Sequence, residues 1–303
     1  MWEKIALTTL TILLKMVAIL PFRVLYIFSD MVYPLIYYVV GYRRKVVRTN
    51  LTKSFPELDL KEIVKIEKKF YRHFCDYVFE TIKLLHISDK QMQSRLRFTN
   101  IEEIEKRRGD GRPFFIYLAH QGNWEYVTSI ALWCKPGLQG CQIYHPLSNK
   151  TMDKFFLRLR SRFNTISIPQ KQTLRVILNM INEGKQPLLG LISDQRPDTK
   201  KLSNHWMTFL NQQTPIIVGG ETLGVRLNAH FIYGQMTQPK RGYYEITLKP
   251  IEPIEGEECS YSKQYMRQLE KDIQAQPHLW LWTHKRWLFK FADLHPNETF
   301  PIG

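Results

Sequence analysis

RPFFIYLAHQGNWEYVTSIAL, Arg112 to Leu132, is the stretch whose reading decides the fold. Phe114 to Leu118 is an unbroken apolar run, short enough for a strand buried on both faces. It ends at Ala119-His120, and a polar loop, Gln121-Gly122-Asn123, follows. Trp124 and Glu125 then open the apolar run YVTSIALW, which predicts a buried or amphipathic helix. His120 thus stands at the carboxyl end of a strand and Glu125 in the first turn of the next helix. In open α/β sheets, ligands bind in the crevice outside those strand ends. A histidine and a carboxylate held across such a turn suit a general base and its orienting partner. A structural histidine with satisfied hydrogen bonds is the plainer alternative.

Outward from that stretch, strand and helix patterns alternate. Arg95 to Asn100, Cys141 to Tyr144, Thr165 to Ile168, Pro187 to Ile192, Ala229 to Tyr233 and Tyr243 to Leu248 read as strands. Helical patterns cover Asn149 to Phe163, Thr173 to Asn182, Thr214 to Leu227 and Gln264 to Gln274. Upstream, Leu51 to Lys83 is helical, broken at Phe55-Pro56 and restarted at Asp59 or Leu60. The order predicts an α/β fold: a mainly parallel, mixed sheet flanked by helices.

The amino-terminal region differs. Ile5 to Phe22 is apolar except for Lys15, and Val24 to Tyr42 is apolar and aromatic except for Asp30. A spanning helix needs roughly 20 mostly apolar residues, so these runs predict a membrane anchor, either one tilted span or an interfacial hairpin. Buried core helices are the alternative. The basic segment Arg43-Arg44-Lys45 with Arg48 abuts the apolar run, as cytoplasmic flanks of membrane segments do. The expected partition is therefore an anchor over residues 1–42 and a catalytic domain over residues 43–303.

The chain has 43 Lys and Arg against 28 Asp and Glu, a net charge of +15. That balance suits anionic partners: lipid headgroups, an acidic carrier protein or nucleic acid. No G-x-S-x-G elbow, Walker A loop, G-x-G-x-x-G fingerprint or His-Glu-x-x-His helix is present. The four cysteines form no Cys-x-x-Cys pair and no zinc-type cluster, so no metal and no cofactor is expected. No nucleic-acid module accompanies the charge. Several residues carry two readings. Asn123 is a helix N-cap or a substrate contact. Asp194, just past a strand end, is a site residue, a cap or the ion-pair partner of Arg196. Arg158, Arg160 and Arg162 form a solvated helix face, bind acceptor phosphate or supply an oxyanion donor.

The string His120-Gln121-Gly122-Asn123-Trp124-Glu125 resembles the signature of the lipid A biosynthesis (late) acyltransferase family, within the lysophospholipid and glycerophosphate acyltransferases that carry His-x4-Asp/Glu. Other blocks agree in order. They are Tyr42 to Leu51 with Ser54-Phe55-Pro56-Glu57, Tyr144-His145-Pro146 with Asn149 and Asp153, Arg160 to Phe163, Ser193-Asp194-Gln195, and Trp282-Thr283-His284-Lys285-Arg286-Trp287. Ser193 departs from the family's proline. The resemblance implies a glycerophosphate acyltransferase-like fold. It also implies transfer of a fatty acyl chain from acyl carrier protein, or acyl-CoA, to a hydroxyl of a lipid A precursor, an anionic glycolipid. His120 would be the base and Glu125 its support, with Asn123, Arg158, Arg160, Arg162 and Asp194 on substrate. The expected place is the cytoplasmic face of a bacterial inner membrane. A lysophospholipid, aminolipid or mannolipid acceptor is the alternative within the class. A non-catalytic basic membrane- or nucleic-acid-binding protein is the alternative outside it.

Overall fold

A computed structural model describes residues 12–146, 148–198, 205–296 and 299–300. The start of the first apolar run, residues 5–11, lies outside the described residues. Helix α1 covers residues 12–19. Pro21 ends it and opens α2, Phe22–Pro34, which continues as a π-helical turn over Leu35–Val40. Gly41, at φ +60°, closes the pair in the left-handed region that glycine adopts at little cost. Phe22–Val40 is long and apolar enough to cross a membrane by length and composition. One face of it, Phe22, Leu25, Ser29, Tyr33 and Tyr37, is buried. The other exposes Ile27, Phe28, Met31, Leu35, Val39 and Val40.

The buried face lies on α4, Leu60–Lys83, which follows α3, Arg44–Ser54. A capping box starts α4: the Asp59 carboxylate accepts from Glu62 N–H, and Glu62 reaches back to Asp59 N–H. Among its buried side chains are three carboxyl groups and a lysine, Glu67, Asp76, Glu80 and Lys83. Each is paired, as burial demands. Glu67 accepts from Tyr37 and Arg48, and Asp76 from Ser29 and Arg241. Lys83 donates to the carbonyls of Ala18, Ile19 and Leu20, capping the end of α1.

Seven strands then form one sheet in the order β1-β9-β8-β2-β5-β3-β4. They are β1 Leu96–Thr99, β2 Phe114–Leu118, β3 Leu138–Tyr144, β4 Ile166–Pro169, β5 Gln186–Ile192, β8 His230–Lys240 and β9 Tyr243–Pro250. Only β8 and β9 pair antiparallel within this sheet; the remaining pairs are parallel. The predicted mixed, mainly parallel α/β architecture is what the structure shows. The strand β2 lies at its centre and is fully buried. Phe115 and Tyr117 face one half of the core, Phe114, Ile116 and Leu118 the other. Flanking helices are α5 Asp89–Arg95, α6 Glu102–Glu105, α7 Lys150–Arg160, α8 Thr173–Asn182, α9 Gly219–Arg226 and α10 Ser260–Ala275.

Two local expectations are corrected. The segment after Trp124 is helical but 3₁₀, over Trp124–Leu132. The predicted helix Thr214 to Leu227 begins only at Gly219, because Thr214 belongs to a second, two-stranded sheet. There β6 Trp206–Phe209 pairs antiparallel with β7 Gln212–Pro215. The turn residues Leu210 and Asn211 both take positive φ, 48° and 60°. Hairpins of that kind ordinarily announce themselves as Asn-Gly or Asp-Gly, and Leu-Asn does not. Within α9, Gly224 permits close docking on the sheet: a Cβ there would stand 2.8 Å from Phe115 Cδ2.

Candidate active site

Strands β2 and β5 are neighbours, with Leu118 paired to Ile192. His120 and Asp194 each lie two residues beyond that pair, so the register itself brings them abreast. Neighbouring strands run about 4.8 Å apart, and the two side chains close the gap. Nδ1 of His120 is 2.7 Å from Asp194 Oδ1. Asp194 Oδ2 accepts from the His120 backbone N–H at 3.0 Å and from Trp280 Nε1 at 2.8 Å. An ionised carboxylate can only accept, so Nδ1 carries the ring proton and Nε2 keeps a lone pair. Burial pushes the Asp194 carboxyl up, but the adjacent imidazole and the donated hydrogen bonds outweigh it. They hold the group below the usual carboxylate range.

Glu125 does not hold the imidazole, contrary to the expectation from spacing. It is buried, and both its oxygens accept from one guanidinium: Arg160 Nε to Oε2 at 2.9 Å and Arg160 Nη2 to Oε1 at 2.6 Å. Asp194 likewise is not paired with Arg196, whose guanidinium stands over the Phe289 ring. The three arginines expected on one face separate. Arg160 reaches the site. Arg162 donates to the Ile87 carbonyl, and Arg158 lines a different pocket beside α1. Asn123 is fully buried and makes no N-cap bond. Its Nδ2 donates to Glu80 Oε2 at 2.9 Å, so it supports the loop from below rather than touching the cavity.

The loop is clamped on every side. Gly122 N–H donates to the Leu279 carbonyl and Leu281 N–H to the His120 carbonyl. His73 Nε2 lies 3.3 Å from the Gly122 carbonyl, and burial pushes the His73 imidazole down to about 3, keeping it neutral. The aromatic and basic tail stretch His278 to Phe291 thus closes the core over the loop, with Trp280, Trp282 and Arg286 all buried. Trp280 is a site residue that sequence reasoning missed. It lies 86 positions from Asp194, and no local pattern joins them.

Beneath the loop, Glu80 accepts from Asn123, Tyr26 and Tyr244. Burial is the largest influence on it and, net of those donors, pushes its carboxyl up to about 7 from an ordinary 4.5. A folded pKa above the unfolded one means that the folded state holds the proton between those values. Stability therefore falls as pH climbs through that window and levels off above it. Glu80→Gln removes the titration. Its melting temperature minus that of the wild type is expected to grow from about pH 5 to about pH 8 in thermal melts at constant ionic strength. A flat difference would refute a proton on Glu80.

His120 and Arg160 open on a cavity of about 860 Å³. Leu118, Val127, Ile130, Leu188, Ile216 and Leu223 are among its apolar walls. That volume is in the range of small-molecule sites, and the wall suits a hydrocarbon chain. A base with a free lone pair, a guanidinium beside it and an apolar chamber can together run acyl transfer to a hydroxyl.

Comparison with known proteins agrees. The family described as bacterial lipid A biosynthesis acyltransferase matches residues 4–289. A lipid A biosynthesis acyltransferase of Haemophilus influenzae is 21% identical over 150 residues, 48% of this chain and 46% of that protein. The aligned stretch thus spans about half the length of that relative. With a family match over residues 4–289, nearly the whole chain, the chain belongs to the bacterial lipid A biosynthesis acyltransferase family.

Proposed function

We propose that this protein transfers a fatty acyl group from a thioester donor, acyl carrier protein or acyl-CoA, to a hydroxyl of an anionic glycolipid of the lipid A precursor type. The observation that carries the reading is the Asp194–His120 pair at the mouth of an apolar cavity. Nε2 of His120 takes the proton as the acceptor hydroxyl attacks the thioester carbonyl. This forms the new C–O bond and a tetrahedral oxyanion. Collapse of that intermediate breaks the C–S bond, and the thiolate leaves with the proton from the imidazolium. General-base help of this kind is typically worth ~10²–10⁴-fold. Asp194, rather than Glu125, fixes the tautomer and offsets the imidazolium charge. Glu125 engages Nε and Nη2 of Arg160, which leaves the two N–H groups of Nη1 and the second of Nη2 for the oxyanion. The backbone N–H of Gly122, near the same turn, is already taken by the Leu279 carbonyl.

The membrane reading rests on α2 and α4. The helix α2 is fastened lengthwise to a partner that turns Lys61, Lys65, Lys69 and Arg72 outward. Such a pair fits the headgroup layer better than the hydrocarbon core, with the exposed face of α2 toward acyl chains. The net charge of +15 favours an anionic membrane and an acidic carrier, and the basic collar Arg43 to Arg48 favours the cytoplasmic side of a bacterial inner membrane.

The test is turnover by the purified full chain in mixed micelles with an acyl carrier protein thioester and a lipid A precursor, products read by mass spectrometry. Wild type is expected to add one acyl chain and His120→Ala to add none above background. Equal product from both would sink the reading.

A further inference from the structure

A second pocket, of about 380 Å³, lies away from His120, between α1, the end of α4 and α7. Its walls are Lys15, Ala18 and Ile19 from α1, Leu85 and His86 beyond α4, and Lys154, Phe155 and Arg158 from α7. The faces are built by helical spacing: Lys15, Ala18 and Ile19 stand at i, i+3 and i+4, and Lys154 and Arg158 at i and i+4. The wall near α1 is held in place because Lys83 caps the last carbonyls of that helix.

The chemistry is one-sided. Three lysine or arginine side chains and a histidine face one small space, and among the described residues no carboxylate lies in its wall. Like charges at i and i+4 cost a helix a few tenths of a kcal/mol, and here Lys154 and Arg158 share the pocket with Lys15 as well. An anion between them removes that cost. The remaining wall is apolar and continues into the exposed Ile12, Leu13, Met16 and Ile19 of α1. An anion with a hydrocarbon tail matches both parts. Arg158 and Arg160 are two residues apart, hence on opposite sides of α7, a helix roughly 10–12 Å across. A phosphate in this pocket and a hydroxyl at the active site would then stand on the two sides of one helix.

We propose that this pocket binds the phosphate of a membrane lipid. It rests on the membrane-bound reading above, and two sources of that phosphate are open to one experiment: bilayer phospholipid and the acceptor itself. The full chain is floated with phosphatidylcholine vesicles, with or without one fifth phosphatidylglycerol. In parallel it is equilibrated in neutral micelles with a glycolipid bearing one phosphomonoester, or with the same lipid after phosphatase treatment. Wild type is expected to prefer the vesicles with net anionic phosphate, or the phosphorylated glycolipid, in at least one arm. Lys154→Gln/Arg158→Gln is expected to cut that preference about thirtyfold, from about 1 kcal/mol for each cation. Lys263→Gln/Lys271→Gln, an equal loss of charge on α10, which has no part in the membrane face, is expected to cut it less than threefold. A vesicle effect assigns the pocket to bilayer phospholipid, and an effect confined to the glycolipid assigns it to the acceptor. If the pocket variant keeps its preference in both arms, or falls no further than the α10 variant, the proposal is overturned. Binding is read without acyl transfer, so a protein that binds phosphate here but turns over no thioester contradicts the activity and not the pocket.

Discussion

Asp194→Asn is expected to lower the acyl-transfer rate about 10³–10⁴-fold with little change in melting temperature, by analogy with loss of the orienting carboxylate in other His–Asp pairs. The carboxylate now accepts three N–H donors: His120 Nδ1–H, the His120 backbone N–H and Trp280 Nε1–H. An asparagine offers one acceptor oxygen and turns an NH₂ group on whichever donor is left. The backbone and indole donors cannot change; the imidazole can. Its proton moves to Nε2, and the lone pair needed for the acceptor hydroxyl is gone. Single-turnover rates with a thioester donor, taken beside a thermal melt, measure both halves of the claim. An Asp194→Asn protein that turns over at the wild-type rate, beside a Glu125→Gln protein that does not, would return the supporting role to Glu125.

The second large effect is on stability. Arg160→Ala removes the guanidinium that satisfies both oxygens of Glu125, a side chain only 3% exposed. An orphaned buried carboxylate costs about 3–5 kcal/mol. A protein of this class holds only about 5–15 kcal/mol in all, so Arg160→Ala should melt well below wild type. Glu125→Gln/Arg160→Met removes both charges together, and replacing a buried pair by neutral groups is often close to neutral. This double variant is therefore expected to regain most of the melting temperature and none of the activity, since the oxyanion donor stays absent. Recovery of activity alongside stability would show that Arg160 is only a structural counter-ion. Calorimetry and the transfer assay on the same preparations decide it.

How much of this was legible in the chain differs from element to element. Phe114 to Leu118 and Pro187 to Ile192 declared themselves as buried strands because apolar runs of that length bounded by turns have few other uses. His120 and Asp194 were both recognisable as strand-end residues. Their partnership was not, because it depends on β2 and β5 lying side by side. Strand order in a parallel sheet is set by crossovers far apart in the sequence. Glu125 stood nearer to His120 along the chain and drew the assignment. The short 3₁₀ helix instead turns it toward α7. The same local bias grouped Arg158, Arg160 and Arg162, although residues two apart on a helix point in opposing directions. Glu80 and Trp280 carried no signal at all: one sits in an amphipathic helix pattern, the other in an aromatic tail whose docking only the assembled core decides.

Glu80 joins two regions that the chain keeps far apart. Tyr26 on α2 and Asn123 in the loop after His120 donate to the same carboxylate, one to each oxygen. A ligand that steadied the loop through Asn123 would steady α2 through Tyr26, and such linkage is reciprocal. Whatever free energy the ligand lent to the seating of α2, a well-seated α2 would lend to the ligand. An affinity measured in micelles that strip α2 from α4 would then belong to the micelle as much as to the protein.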